Sequence, residues 1–340
     1  MSHPDQPSPD EYVIAPASES DSRAAALLPT EPSEDVSHLL GAIDLPSPKP
    51  EESERDYLPE LAVDWVITAQ FAGRPKLAPS HVNALFDRNW RERFGGLTLY
   101  GRDAADGRWT YLISSDGPSA VTELKLAWDY ASPLEEDEAA TTAAQFAARL
   151  KEVERRLAAF GKVQVSASQS PEEAAARSET LKEVQREWNY PAVLVLEAPR
   201  GQKFSGKQIW DVMLCLGLRW GDMDCFHWRN PSEVGDDHWF SVETSTPPGY
   251  FLPEEIAANR VHTTDLVFSL SVPRCAAPVE VFEAMIEAAQ YARRRLGGTI
   301  CDGDGNPADL DALCSDIQKI ESYLGEIGIP CGSGTALRLF

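Results

Sequence analysis

Two stretches of the 340-residue sequence pass through the same order of predicted elements, and this repeat constrains the fold more than any other feature. Each stretch opens with a β-branched strand pattern that ends in glycine, at residues 65–73 in the first and 193–201 in the second. A helical pattern follows in each, with apolar residues spaced three and four apart, over residues 80–91 and 206–217. The sequence therefore predicts two domains with one plan.

The remaining elements also correspond between the two stretches. Three strand patterns come next, then a long amphipathic helix, a short strand and a last helix that begins near a proline. The strands are predicted at residues 97–100, 109–114 and 124–130 against 223–228, 239–244 and 266–272, and the helices at 143–162 and 172–188 against 279–298 and 309–325. Because short links join successive strands, we expect an α+β fold in which each domain is an antiparallel sheet with helices packed on one face.

The predicted domains occupy residues 57–188 and 189–328, with a tail at either end. Residues 1–56 contain nine of the 25 prolines and 13 acidic against three basic residues. Such a segment cannot bury enough apolar surface to order itself, so we expect a disordered acidic tail. Residues 329–340 are predicted to be a C-terminal tail. Within the N-terminal tail, residues 36–45 carry apolar side chains at helical spacing and could fold on a partner, although an apolar piece of linker is the favoured interpretation.

The charge and the cysteines of the chain restrict its partners and its compartment. The formal net charge is −23, so its field repels phosphate backbones and anionic lipid headgroups, and we expect no nucleic acid partner. The six cysteines all lie in the C-terminal half and form no Cys-x-x-Cys pair, as is typical of reduced cytosolic thiols. No stretch has the apolar length of a signal peptide or of a membrane span, so we expect no integral membrane segment and a cytoplasmic location.

Two patterns suggest metal binding, and each has a simpler explanation. Residues 302–306 resemble the opening of a calcium loop, but Pro307 replaces the required glycine and a leucine replaces the last acidic ligand, so a turn before a helix is favoured. Residues 222–227 would alternate along a strand, which sends Asp224 and Cys225 to opposite faces. No nucleophile, phosphate-loop or dinucleotide motif is present. We expect no catalytic residue, no metal and no cofactor, and a protein that acts by binding.

Short motifs in the second stretch indicate one family. They are Phe204-Ser205-Gly206, the run 217–227 with Gly221-Asp222-Met223, Trp239-Phe240-Ser241, Pro248-Gly249 and the run 296–302. In this order they resemble the C-terminal FtsZ-binding domain of the ZipA family over residues 190–325. The first stretch is similar to that family only in the order of its elements. The resemblance implies two tandem ZipA-C-like domains, of which the first is a divergent repeat.

The resemblance also implies a function. The ZipA family uses one face of its sheet as a shallow apolar cleft for the C-terminal peptide of the tubulin-like protein FtsZ, and so tethers division filaments to the membrane. We therefore expect a cell-division protein, recruited to the division site, that recognises a short apolar peptide of FtsZ or of another protein. Direct membrane tethering is not expected, because the chain has no apolar run long enough to be an anchor. The alternative is a scaffold or adaptor whose sheet faces mediate self-association or interdomain packing.

Strand alternation predicts which residues of the second stretch line the cleft, since residues two apart share a face. The predicted peptide-binding residues are Val193, Val195, Met223, Cys225, Ser245, Val267 and Ser269, and Ser241, Glu243 and Ser271 share their face. Met223 falls where the family has a cleft methionine, whereas Ser245 and Ser269 fall where it has large apolar residues. Those two serines would weaken peptide binding by roughly 2 to 5 kcal/mol, so we expect weak FtsZ binding there.

The same alternation predicts an aromatic face in the first stretch. Its residues are Trp65, Ile67, Tyr100, Trp109, Tyr111 and Ile113. A patch of this kind usually marks a binding surface, so the face either takes a peptide or packs against the sheet face of the second domain. A slip of one residue in register would exchange the two faces. The segment 56–61 is acidic and aromatic, and could itself occupy a cleft of this chain.

Overall fold

The computed structural model describes residues 23–43, 45, 56–73, 76–114, 117–132, 139–232 and 234–340, and they form two compact units. What we call the first unit comprises Ser47–Tyr190 and Ser322–Phe340, and the second unit comprises Met1–Pro46 and Pro191–Glu321. All strand pairs within the described residues are antiparallel. The expected α+β class is therefore confirmed.

The first unit is a five-stranded sheet with helices on one side. Its elements are β1 (Asp64–Phe71), α1 (Pro79–Leu85), α2 (Arg88–Phe94), β2 (Thr98–Asp103), β3 (Trp109–Tyr111), β4 (Val121–Asp129), α3 (Ala143–Leu157), β5 (Val163–Ala167) and α4 (Pro171–Trp188). The strand order is β3-β2-β4-β1-β5. Capping boxes begin the two long helices, with Thr142 and Gln145 at α3 and Ser170 and Glu173 at α4. In each box a side chain satisfies a backbone N–H that would otherwise lack a partner.

The core of the first unit lies between the sheet and its helices. Trp65 and Ile67 in β1 stand opposite Trp128 and Leu126 in β4, and all four are fully buried. The Trp65 ring packs edge-on against Phe146 of α3, with centroids 4.8 Å apart. The prediction that Trp65 and Ile67 lie on the face away from the helices is therefore wrong by one residue in register. Both faces of β1 are buried along its first half, so its sequence lacks the alternation that fixes a register.

The second unit is a six-stranded sheet with the order β13-β6-β12-β10-β9-β8, and a small ladder of β11 and β7 lies beside it. Its elements are β6 (Pro191–Glu197), β7 (Phe204–Ser205), α5 (Gly206–Cys215), β8 (Arg219–Trp220), β9 (Phe226–Arg229), β10 (His238–Glu243), α6 (Pro253–Ala257), β11 (His262–Thr263), β12 (Asp265–Ser271), α7 (Pro278–Leu296), β13 (Thr299–Cys301) and α8 (Leu310–Glu326), of which the residues up to Glu321 belong to this unit. The last helix, α9 (Gly334–Leu339), belongs to the first unit.

Both sheets contain a split β-α-β arrangement. In the first unit the strands stand in the order β2-β4-β1-β5, and in the second their equivalents stand in the order β10-β12-β6-β13. The additional edge strand differs, because β3 follows β2 along the chain whereas β9 precedes β10. The predicted correspondence of residues 97–100 with 223–228 is therefore wrong, since β2 occupies the place of β10.

Residues 23–43 differ from the predicted disordered tail, because they pack on the second unit. Ser33 donates from its backbone nitrogen and its hydroxyl to the two carboxylate oxygens of Asp211 in α5, at 2.8 and 2.6 Å. The turn Ser37–Leu40, which lies in the predicted apolar segment 36–45, contacts α7 and buries Leu40. Residues 1–22, 44 and 46–55 of the predicted tail lie outside the described residues.

The predicted C-terminal tail, residues 329–340, also differs from expectation, because it packs within the first unit. Arg338 of α9 donates two hydrogen bonds to the carboxylate of Asp64 in β1, at 2.6 and 2.7 Å. The backbone oxygen of Leu339 accepts from the Gln185 amide of α4 at 2.6 Å, and the Leu339 side chain is fully buried. These contacts involve residues more than 100 positions apart, which no local sequence pattern reveals.

Candidate functional site

One face of the second sheet is covered by helices and the other is open. In β6, Ala192, Leu194 and Leu196 are fully buried on the side of α7, whereas Val193 and Val195 are half-buried on the opposite side. β12 alternates in the same way. This regular alternation explains why the open face could be predicted from the sequence.

Two rows of side chains cross this open face. One row consists of Val193 on β6, Ser269 on β12, Ser241 on β10 and His227 on β9. The other consists of Cys301, Val195, Val267 and Glu243. The structure thus places the predicted residues Val193, Val195, Val267 and Ser269 next to one another. We call Val193, Val195 and Val267 the valine strip.

The predicted site residues do not include His227, although it lies in the polar part of the first row. Its Nε2 is 2.8 Å from the backbone oxygen of Asp222, and its Nδ1 is 2.7 Å from the hydroxyl of Ser241. Because a carbonyl oxygen only accepts, Nε2 carries the proton and Nδ1 accepts from Ser241. Burial lowers the pKa of His227, although the bond to Asp222 opposes this shift. The imidazole is therefore neutral, and its two nitrogens are satisfied within the site. Its spacing of two residues from Cys225, which was assigned to this face, was the sequence signal that could have found it.

Met223 lies in a tight turn before β9, so the prediction that it stands on a strand is wrong. The turn Asp222–Asp224 holds Met223 and Asp224 at φ 57°, in the left-handed region that costs a non-glycine residue about 1 to 2 kcal/mol. Hydrogen bonds from Asp224 N to Gly221 O at 3.0 Å and from Phe251 N to Asp224 O at 2.8 Å maintain it. The Met223 side chain is 86% exposed. A large apolar side chain is thus held in water by a strained backbone, which is typical of functional sites.

Cys225 and Ser245 do not present free side chains to the open face. The Cys225 thiol is buried and donates to the backbone oxygen of Met223 at 3.4 Å, and burial raises its pKa to about 11. Ser245 lies beyond the end of β10, where its N–H donates to Asp265 Oδ1 at 2.7 Å and its hydroxyl donates to Oδ2. Thr244 donates to the same carboxylate at 2.8 Å. Ser245 therefore anchors the start of β12, and its hydroxyl is already bound to Asp265.

The outer face of the first sheet, which points away from the helices, keeps part of the predicted aromatic set. Tyr100 stands opposite Tyr111, with ring centroids 5.1 Å apart, and Trp109 lies on the same strand as Tyr111 and two residues before it. Ile113 lies beyond β3 and lines a shallow pocket with Phe86 and residues of α1 and α2, so it is not part of this face. Of the predicted set, only Tyr100, Trp109 and Tyr111 share the outer face.

The segment that begins at Asp56 covers part of this aromatic face and leaves Tyr111 41% exposed. Tyr57 N donates to Trp109 O at 2.9 Å, and Trp109 N donates to Asp56 Oδ1 at 2.9 Å. The Tyr57 ring lies 5.1 Å from the ring of Tyr111. Together with Trp109 it packs on a cluster formed by Val66, Tyr100 and Ala127. The aromatic face is therefore occupied within the first unit.

Comparisons with known proteins agree with the geometry of the second unit. Residues 192–314 match the model of the family described as ZipA, C-terminal FtsZ-binding domain. Similar curated proteins are the cell division protein ZipA of Marinobacter nauticus, 33% identical over 112 residues, and of Vibrio cholerae, 30% identical over 132 residues. These matches cover 32% and 38% of this chain, and 32% and 45% of the two relatives. A third, ZipA of Shewanella loihica, is 26% identical over 132 residues, which are 39% of each chain.

The chain thus spans less than half the length of the curated relatives that it matches. The matched residues include the valine strip, the Met223 turn and His227, whereas residues 23–43 and 57–188 lie outside the match. No helix within the described ranges has the length and apolarity needed to cross a bilayer. The resemblance predicted from the motifs is confirmed: over residues 192–314 the chain carries a domain of the ZipA C-terminal FtsZ-binding family.

Proposed function

We propose that this chain acts in cell division and that its second unit binds the C-terminal peptide of FtsZ on the open face. The valine strip, on a domain that matches the FtsZ-binding family, is the observation that carries the proposal. Its three side chains are half-buried and contiguous on the face that the helices leave uncovered. A peptide laid across them removes apolar surface from water, which is favourable. Binding to FtsZ would bring the chain to the division site.

The polar half of the open face limits the affinity. Ser269, Ser241 and His227 continue the row that starts at Val193, and they offer little apolar area to a peptide. Met223 supplies an additional contact, because its flexible thioether is exposed and adapts to different partners. We therefore expect binding that saturates at roughly 10 µM to 1 mM peptide.

A titration of the full chain with a fluorescent peptide of the FtsZ C-terminus tests the proposal. Val267→Asp should abolish saturable binding, because it places a charge in the middle of the valine strip. Val279→Asp is the matched control, since Val279 is also half-buried but lies in α7, on the helix side. Circular dichroism checks that both variants fold. Absence of saturable binding to the native chain, or equal loss in both variants, would refute the proposal.

A second candidate site is the outer face of the first unit, with Tyr100, Trp109 and Tyr111 as its contacts and residues 56–57 as a resident ligand. The contacts of Asp56 and Tyr57 with Trp109 support it, because they pair a short acidic and aromatic segment with the edge strand β3. Adding a strand to an exposed edge is a common way in which domains bind peptides. A peptide of the same chemistry would then bind here when residues 56–57 leave.

The peptide Asp-Tyr-Leu-Pro-Glu-Leu, which has the sequence of residues 56–61, tests this second site in trans. It should bind a variant that carries Asp56→Ala and Tyr57→Ala, and it should not bind the native chain. The matched control carries Leu58→Ala and Leu61→Ala, because these side chains are exposed in the same segment. Equal binding to the native chain and to both variants would exclude the resident-ligand interpretation.

The alternative function, a scaffold that self-associates through a sheet face, makes a different prediction. Tyr111 is the exposed member of the aromatic set on the outer face. If this face joins two chains, sedimentation velocity should show a dimer that Tyr111→Ala dissociates. A monomer at all concentrations would leave peptide binding as the function of the sheet faces.

A further inference from the structure

A cavity of about 630 Å³ lies on the helix side of the first unit, near the end of β4. α2 contributes Arg91, Arg93 and Phe94 to its wall, α3 contributes Arg149, and α4 contributes Lys182. Its volume lies within the range of small-molecule sites, about 300 to 1,000 Å³. It shares no residue with the open face of the second unit, so its ligand is independent of the function proposed above.

The wall of this cavity is cationic, although the chain as a whole carries a charge of −23. Its basic residues are Arg91, Arg93, Arg149 and Lys182. Its carboxylates are Glu92 and Asp129, and each is already bound to an arginine outside the wall: Glu92 to Arg88 at 2.8 Å, and Asp129 to Arg338. An anion is therefore attracted to this cavity, whereas most of the surface repels it.

Arg149 is the central cation of the wall. Its Nε donates to the backbone oxygen of Phe94 at 2.7 Å, and its guanidinium lies 5.6 and 5.2 Å from the ring centroids of Trp128 and Phe146. Its Nη1 is buried and has no hydrogen-bond partner among the described residues. Burial alone lowers the pKa of Arg149, to about 10. A buried charge without a counter-charge among the described residues is costly, and an anion beside Nη1 would offset that cost.

The geometry around Arg149 keeps it and a second guanidinium in place without neutralising them. Gly95 has φ +88°, which favours glycine, and a Cβ atom there would lie 2.7 Å from Arg149 Nη2 and displace the guanidinium. Arg91 donates from Nε to the Phe86 backbone oxygen and from Nη2 to the Asn83 side chain, both at 2.9 Å. These acceptors are neutral, so the positive charges remain available to a ligand.

We propose that this cavity binds a small organic anion, whose carboxylate or phosphate oxygens pair with the guanidinium of Arg149 and with Arg91 or Arg93. A guanidinium presents parallel donors that match the two oxygens of such a group. The rings of Phe94 and Trp128, which also line the cavity, offer apolar contact to the body of the ligand. Attraction between these groups is stronger than in water, because the site is partly buried.

Calorimetric titration of the full chain at low ionic strength tests this site, with citrate as the carboxylate probe and pyrophosphate as the phosphate probe. We expect one saturable site for at least one of them. Arg149→Gln should weaken it by about 10- to 100-fold, since hydrogen bonds to a charged group are lost. Arg149→Lys, which keeps the charge and loses the parallel donors, should have a smaller effect. Arg93→Gln should also weaken binding. Because Arg93 is exposed, this variant tests the site without changing a buried residue, in case the Arg149 variants misfold.

Arg155→Gln is the matched control, because Arg155 is an exposed arginine of the same helix that does not line the cavity. No saturable binding of either probe to the native chain, or an equal loss in Arg155→Gln, would overturn the proposal.

Discussion

The outer face of the first sheet and the open face of the second occupy the same position in the same split β-α-β arrangement, but the chain treats them in opposite ways. The first face carries large aromatic side chains, and the chain covers it with Tyr57 over Tyr111 and with Arg338 bound to Asp64. The second carries valines and serines that remain half-buried, without a covering segment among the described residues.

The difference shows that the more apolar face is not the more available one. Aromatic side chains expose a large area to water, so covering them with a segment of the same chain is favourable. Small side chains lose little when they stay uncovered, because the free energy scales with exposed apolar area. The aromatic patch is packed against its own chain, whereas the valine strip is the uncovered surface on which we propose that a peptide binds.

Removing the Arg338 side chain from the outer face of the first sheet should have the largest effect on the stability of the first unit. Asp64 is 1% exposed and accepts two hydrogen bonds from Arg338, so Arg338→Ala leaves a buried carboxylate without its cation. We expect the free energy of unfolding of the first unit to fall by about 3 kcal/mol, measured as faster hydrogen exchange in β1 and β4. Arg260→Ala breaks an exposed pair with Glu255 and should leave exchange in the first unit unchanged. Equal effects of the two variants would show that the cover is not stabilising.

Removing the Tyr57 ring should have a smaller effect on the same face. Tyr57→Ala exposes Tyr111 and Tyr100 and should destabilise the first unit by about 1 to 2 kcal/mol. Binding of an apolar dye such as ANS should increase, since aromatic surface becomes accessible. Leu58→Ala removes an exposed neighbouring side chain and should change neither quantity. Unchanged dye binding in Tyr57→Ala would mean that the aromatic face is not covered by this segment.

The contrast between the two faces also explains what the sequence could predict. The alternation of β6 and β12 is regular, because one face is fully buried and the other is not, and it correctly placed Val193, Val195, Val267 and Ser269. In β1 both faces are buried by different partners, so alternation gave no register and Trp65 was assigned to the wrong face. Covering one face with another part of the chain removes the signal that predicts it.

The other wrong predictions concern contacts between residues far apart in the sequence and one turn held by backbone hydrogen bonds. Residues 23–43 have the composition of a disordered tail, and their order depends on partners such as Asp211, nearly 180 positions away from Ser33. Met223 aligns with a strand by spacing, but its φ of 57° is imposed by bonds to Gly221 and Phe251 that no periodicity indicates. Hydrophobic pattern predicts faces, and it does not predict which segments will come to lie on them.

A fall in pH should destabilise the second unit through protonation of His227, which does not affect the first unit. Burial lowers the pKa of His227 in the folded state, so the unfolded chain takes up the proton first. Stability should therefore be lost as the pH falls below about 6.5, the ordinary pKa of histidine, and through the lower folded pKa. His227→Gln should flatten this dependence in urea unfolding between pH 7 and 5. His262→Gln, at an exposed site of the same unit, should keep it. An unchanged profile in His227→Gln would exclude His227 as the sensor.

Substitution of Met223 should give the smallest change in stability. It should change stability and peptide affinity in opposite directions. Met223→Gly relieves the left-handed strain and should raise the free energy of unfolding by about 0.5 to 1 kcal/mol. It also deletes the exposed thioether, so the affinity for the FtsZ peptide should fall by about tenfold. Asn259→Gly is the matched control, because Asn259 has φ 58° in the same unit and lies after α6, outside the six-stranded sheet. It should not weaken peptide binding. If Met223→Gly gains stability and binds the FtsZ peptide as well as the native chain, the turn is strained for another reason, and Met223 is not a contact of the bound peptide.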